Sequence, residues 1–243
     1  MVGFEALVQA DEGRMLVGLS GRLGLPDSAT LRTRLMECLA EQPDALLVDV
    51  AALTVSEPLA LAAFSAVARQ AARWPGIPVM LCAPRPEVRH SLGLAAYKRL
   101  PVYATVQAAR AELGDDPRAR PVITEELLPV TGAARQARNV ATDACVRWDL
   151  PGLVAPASLI ASELASNVVD HAHTMMTLRL ALHRRRLHIT VRDGSAAAPQ
   201  LRSIAPAATA GGRGLMLVDA TADAWGWLPC DGGKVVWTSL RVG

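Results

Sequence analysis

Apolar and polar residues alternate near residues 4–9 and again near 14–19, the period-two signature of half-buried strands. After Asp27-Ser28, a polar pair suited to opening a helix, the segment LRTRLMECLAEQ changes to helical spacing. Ala45-Leu46-Leu47-Val48-Asp49-Val50 then reads as a buried strand and residues 58–72 as a helix. Val79-Met80-Leu81-Cys82 reads as another strand, with further helices over 86–95 and 105–113. Apolar strands alternating with helices imply an α/β half whose partly parallel sheet is covered by helices.

That periodicity stops at residues 114–121, Gly-Asp-Asp-Pro-Arg-Ala-Arg-Pro, which have the composition of an exposed connection. The reading is therefore a first domain over 1–113, a linker over 114–121 and a second domain over 122–243. In the second, ARQARNVATDACVRWDL and ASLIASELASNVVDHA carry helical spacing. LHITVRDGS is an alternating strand that ends at Asp193, GGRGLMLVDATADAWGW is a glycine-rich entry to a helix, and GKVVWTSL is a closing strand. Trp225, Trp227 and Trp237 read as core anchors.

Composition narrows the function classes. With 51% hydrophobic and 20% charged residues the chain is expected to fold, and 25 Lys plus Arg against 23 acids is too balanced for a phosphate-neutralising face. Direct nucleic-acid binding is not expected. The dense basic run His183-Arg184-Arg185-Arg186 reads as a solvated turn between two apolar strands. Cys38, Cys82, Cys145 and Cys230 are too scattered for a zinc cluster or disulfide framework and read as buried thiols. The N-terminus carries acids where an export signal needs bases, and Arg, Glu or Pro breaks each apolar stretch before the ~20 residues that span a bilayer. A cytoplasmic protein without membrane attachment is expected.

Glu163 and Asn167, four residues apart, lie above one another on one helix face. Such a pair can supply a carboxylate to orient or deprotonate a hydroxyl and an oxygen ligand for a hard cation. Alone it is a common pattern on solvated helices. Asp193-Gly194 and the glycines 211, 212 and 214 follow in order, and small residues at a helix N-terminus let backbone N–H groups approach phosphate. His171 and His173, two apart on a helix, diverge around its axis and read as solvated.

The second half resembles the nucleotide-binding boxes of the GHKL ATPase superfamily, and among them the anti-sigma-factor serine kinases. Glu163-Leu164-Ala165-Ser166-Asn167 through His171-Ala172 matches the asparagine box, Asp193 the first glycine box, and Gly212-Arg213-Gly214-Leu215 the second. The likeness spans roughly residues 130 to 241 and implies a Bergerat-type α/β sandwich that binds ATP with Mg2+. It implies Asn167 as the magnesium ligand, Glu163 as catalytic base and Asp193, followed by Gly194, as acceptor of the adenine amino group. Gly212 and Gly214 would form the phosphate lid with Arg213 on phosphate, and Thr238 would reach the adenine side. Ser195 departs from the pattern, since the family has glycine two positions after the aspartate.

The first half resembles the STAS domain of anti-sigma-factor antagonists over about residues 4 to 113, in GRLGLPDSATLRTRL, LLVDVAALTVSEPLALAAFSAVARQA and IPVMLCAPRPEVRHSLGLAAY. The family carries a phosphoacceptor serine in an Asp-Ser-Ser-Gly-like segment. A gapless alignment on Asp49 puts Leu59 at that serine, with Glu57, Pro58 and Ala60 around it. Thr54 and Ser56 are the nearby hydroxyls and read as strand-end or capping groups.

Together the resemblances imply a protein serine/threonine kinase of a partner-switching pathway, acting on a separate STAS antagonist or holding a sigma factor, and compatible with a homodimer. The alternative is a non-catalytic, ATP-responsive adaptor that docks through its STAS-like half. A histidine kinase would need a phosphoacceptor histidine before the asparagine box, where the chain has only His90. The lid of about eighteen residues between Asp193 and Gly212 also suits the anti-sigma type.

Overall fold

A computed structural model describes residues 3–74, 76–93, 100–113, 121–183, 185–199 and 214–243. It divides into two compact units, Met1–Ala119 and Arg120–Gly243. Of the expected linker over 114–121, all but Pro121 lies outside the described residues.

In the first unit, strands β1 (Phe4–Asp11) and β2 (Arg14–Leu23) form an antiparallel hairpin. Helix α1 (Ser28–Ala40) follows, preceded by a short 3-10 turn in which the Asp27 carboxylate accepts the Gly24 N–H at 2.8 Å. Strands β3 (Leu46–Val55), β4 (Val79–Cys82) and β5 (Val102–Tyr103) then pair in parallel, giving the sheet order β1-β2-β3-β4-β5. The expected helix over 58–72 is a 3-10 turn, Pro58–Leu61, running into helix α2 (Ala62–Arg73). Helices α3 (Pro86–Leu92) and α4 (Val106–Leu113) complete the unit. Residues 94 and 95, the end of the helix expected over 86–95, lie outside the described residues.

The apolar positions of α1 and α2 are buried, Leu31, Leu35 and Leu39 from one and Phe64 and Val67 from the other, as are Leu46 and Val48 of β3, whereas Leu47 between them joins a separate cluster with Met80, Cys82 and Ala109 of α4. Each such side chain contributes about 1.5–3 kcal/mol by leaving water.

The second unit is one sheet of order β6-β7-β8-β10-β9, antiparallel throughout, with a helical layer on one face. Its strands are β6 (Val122–Leu127), β7 (Met176–His183), β8 (Arg186–Asp193), β9 (Ala224–Cys230) and β10 (Gly233–Arg241). Its helices are α5 (Ala133–Arg147), α6 (Val154–Asn167) and α7 (Gly214–Thr221). Leu178, Leu180, Leu187, Ile189, Val191 and Val236 point from the sheet into the helical layer. Trp225 and Trp227 pack against this core half-buried, while Trp237 is buried in the alternate register of β10, with its indole ring over Gly226.

The turn expected at 183–186 joins β7 to β8, with Arg185 at φ 61°. Cys38, Cys82 and Cys145 are buried as expected, whereas Cys230 is only half-buried. One helical stretch among the described residues, Pro151–Ala172, has the length and apolar character to cross a membrane, which the broken apolar runs did not suggest. Ala157, Ile160, Ala161, Leu164 and Ala165 of that stretch are buried in the core of the second unit.

Candidate functional site

Helices α5 and α6 pack against one another through rows of alanine, Ala133, Ala137, Ala141 and Ala144 facing Ala157, Ala161 and Ala165. Short side chains at helical spacing bring the axes close and fix the rotation of α6. Ala161 and Ala165 are buried at that contact, while the flanking Glu163 and Asn167 remain half-exposed. At Asn167 the α-helix gives way to a π-helical turn, Val168–Ala172, a departure frequent at functional sites. That turn brings Val168 and His171 to the same cavity as Asn167.

The cavity, of about 220 Å³, lies between this helix and the sheet. Leu164, Val168, Val191, Leu215 and Val236 form its apolar walls, and Asn167, His171, Asp193, Ser195 and Lys234 its polar groups. Apolar walls with a few convergent polar groups are the general form of a small-molecule site.

One end is set by the start of α7. A Cβ built on Gly214 would lie 2.6 Å from Oε2 of Glu163 and 3.5 Å from Oδ1 of Asn167. Glycine thus lets the helix begin this close to both side chains without displacing the Glu163 carboxylate. The two oxygens are of the kinds a hard cation takes, carboxylate and amide. Among the described residues no group of three His, Cys, Asp or Glu side chains could hold a metal alone. A bound Mg2+ would need most of its oxygens from a nucleotide or water.

The other end is set by strand register. Asp193, the last residue of β8, is the cross-strand partner of Lys234 on β10. Lys234 Nζ donates to Asp193 Oδ1 at 2.9 Å and to the Ser195 carbonyl at 3.1 Å, and the Ser195 N–H donates to the same Oδ1 at 2.8 Å. The pair is deeply buried, with side chains 9% and 2% exposed for Lys234 and Asp193. A Cβ on Gly233 would fall 1.9 Å from the Asp193 carbonyl oxygen, so only glycine lets β10 start against the end of β8.

The structure therefore places Asn167 and Asp193 in the cavity lining, and sets Glu163 and Gly214 beside Asn167 but outside that lining. Gly194 does not line the cavity; its N–H donates to Thr174 Oγ1 at 2.9 Å, which holds the turn after Asp193. Thr238 does not line it either, because its hydroxyl donates to the Ile189 carbonyl at 3.2 Å within the sheet. Gly212 and Arg213 lie outside the described residues. Lys234 was missed, since nothing in sequence links it to a residue 41 positions earlier, and His171, read as solvated, lines the cavity.

In the first unit Leu59, aligned with a phosphoacceptor, is 67% exposed. The Thr54 hydroxyl donates to the Gly21 carbonyl at 2.9 Å and that of Ser56 to the Leu23 carbonyl at 3.1 Å. The Glu57 carboxylate accepts the Leu25 N–H at 2.8 Å.

Two family models match the chain, one within each compact unit. The model of the histidine kinase-like ATPase domain family matches residues 130–240, and that of the STAS domain family residues 5–109. No curated protein matches the chain. Similar solved structures include an anti-sigma factor antagonist from Mycobacterium paratuberculosis, at 22% identity and a TM-score of 0.42 over 46% of this chain and 96% of that one. A second is an anti-sigma factor antagonist from Thermotoga maritima described as putative, at 13% identity and 0.41 over 44% and 93%. A third comprises the RsbU and RsbW domains of a Mycobacterium tuberculosis protein, at 18% identity and 0.39 over 50% of this chain and 32% of that one.

Proposed function

Because the chain joins a STAS domain to a histidine kinase-like ATPase domain, we propose that it is an ATP-dependent serine/threonine protein kinase of a partner-switching pathway, acting on a separate STAS antagonist. The observation that carries this reading is a cavity lined by Asn167 and Asp193, with Glu163 and Gly214 close beside Asn167.

In this reading Val191, Val236 and Leu164 would contact the base, Asp193 would accept from its exocyclic amine, and Asn167 and the start of α7 would serve the phosphates. Asn167 would help to hold Mg2+, whose charge would offset that of the phosphates. Glu163 accepts the proton of the partner's hydroxyl as its oxygen bonds to the γ-phosphorus and the bond to the β-phosphate oxygen breaks, leaving ADP. Gly212 and Arg213 belong to the proposed phosphate lid. The domain division at 114–121 and a cytoplasmic location are part of the same proposal.

The test is incubation of the full chain with labelled ATP, Mg2+ and STAS antagonists from the same genome. Transfer to a serine or threonine of one of them supports the kinase. A second reading, a non-catalytic ATP-responsive adaptor, is favoured by Leu59, whose exposed apolar side chain stands where an acceptor hydroxyl is expected. ATP binding without transfer to any partner would select it.

A further inference from the structure

The ion pair at the base end of the cavity has a consequence for which nucleotides the site takes. Asp193 Oδ1 already receives two bonds, from Lys234 Nζ and the Ser195 N–H. Its Oδ2 has no bonded partner among the described residues and is left to accept from a ligand. Of the three N–H groups of Lys234, one goes to Asp193 and one to the Ser195 carbonyl, which leaves the third as a donor. Both residues line the cavity.

We propose that Lys234 is a specificity residue that lets the site accept 6-oxopurine nucleotides, guanosine or inosine triphosphates, alongside ATP. The inference rests on the nucleotide-binding reading given above.

The argument is one of hydrogen-bond complementarity. A carboxylate alone accepts from the 6-amino group of adenine but repels the O6 of a 6-oxopurine, since two acceptors then face each other in a dry pocket. Lys234 adds a donor beside the acceptor. With the Lys234 donor on the N7 side of the Asp193 acceptor, adenine offers an acceptor at N7 beside a donor at N6, and a 6-oxopurine an acceptor at O6 beside a donor at N1. The order is the same in both, so moving the base one position along its edge satisfies the same donor–acceptor pair. Val191 and Val236 contact either ring system without distinguishing them.

The Lys234 charge also balances that of Asp193, so a base without an amine at position 6 does not leave a buried carboxylate uncompensated.

The experiment is calorimetric titration of the full chain with the magnesium complexes of ATP, GTP and ITP. Wild type, Lys234→Thr and Lys234→Arg are compared, with circular dichroism to check folding. For wild type the three affinities should lie within roughly tenfold of one another. Lys234→Thr, which removes the donor and keeps a strand-forming residue, should move the ATP-to-GTP ratio at least tenfold toward ATP, the usual scale of one unmatched polar contact. Lys234→Arg should keep the wild-type ratio. A wild type that binds ATP and rejects both GTP and ITP by more than a hundredfold overturns the proposal while leaving the ATP reading intact, even if Lys234→Thr does not fold. An unchanged ratio in a folded Lys234→Thr overturns it too. Failure of all three nucleotides to bind folded wild type removes the nucleotide reading and this inference with it.

Discussion

Gly214 begins its helix so near Glu163 that a Cβ on the glycine would stand 2.6 Å from the carboxylate Oε2. The atom it would meet is the end of a flexible side chain, so Gly214→Ala can be accommodated by swinging the carboxylate aside. Alanine also costs less conformational entropy in a helix than glycine, by about 0.5–1 kcal/mol. Gly214→Ala is expected to leave thermal stability unchanged or slightly raised. It should slow phosphoryl transfer by about 10²-fold, the cost of misplacing a reacting group by about 1 Å. Melting temperature and single-turnover transfer, measured on the same preparation, check both halves of this expectation.

Glu163→Gln separates chemistry from binding. If the carboxylate takes a proton from the acceptor hydroxyl, it acts mainly in the transition state. The transfer rate should then fall by roughly 10²–10⁴ with little change in ATP affinity. Equal losses in both quantities would assign Glu163 to the binding of nucleotide instead.

Asn167 tests the cation. Its amide oxygen, 3.5 Å from the position of a Gly214 Cβ, lies near the Glu163 carboxylate, and Asn167 lines the cavity. Asn167→Ala should lower ATP affinity in magnesium and have little effect in EDTA, because only a cation ligand is removed. Calorimetry in the two buffers decides. A loss of equal size in both would place Asn167 on the nucleotide itself.

The first unit should not be phosphorylated by the second. Leu59 has no hydroxyl, and the hydroxyls of Thr54 and Ser56 are bonded to the carbonyls of Gly21 and Leu23. Mass spectrometry after incubation with ATP and Mg2+ is expected to find no phosphate at residues 54–60. Stoichiometric phosphate on Ser56 or Thr54 would show that the gapless alignment on Asp49 is misplaced.

The parts of the site legible in sequence are those whose geometry is local. Glu163 and Asn167 share a helix face because they are four apart, and Asp193 ends a strand whose alternation marks its limits. Lys234 was not legible because its contact with Asp193 depends on the register of β8 against β10. Among the strands, β9 hides because Gly226 and Pro229 interrupt AWGWLPC, and β6 because VITEEL alternates with charge at the sheet edge. β5 is two residues long, too short for any period. The family pattern directs the Thr238 hydroxyl to the adenine side, whereas in this sheet it donates to the Ile189 carbonyl.

A last prediction comes from His188, on the face of the sheet away from the helices. It is 3% exposed, and neither ring nitrogen has a hydrogen-bond partner among the described residues. Burial, with smaller contributions from His183 and Arg186, pushes its imidazole down from 6.5 to about 4. The unfolded chain therefore binds a proton at this residue between pH 6.5 and about 4 while the folded chain does not. Stability is complete above pH 6.5, falls as pH drops through that window, and stops falling from this cause below about pH 4. The full difference is about 3 kcal/mol at 1.36 kcal/mol per pH unit. Urea unfolding at pH 7.5 and 4.5, followed by tryptophan fluorescence, measures it, since Trp148, Trp225, Trp227 and Trp237 all belong to the second unit. Carboxylates also titrate in this range, so the useful quantity is the difference from His188→Gln. The wild type should lose about 2–3 kcal/mol more than the variant between the two pH values. Equal losses would mean that His188 finds a partner or water in solution and is not held neutral by the fold.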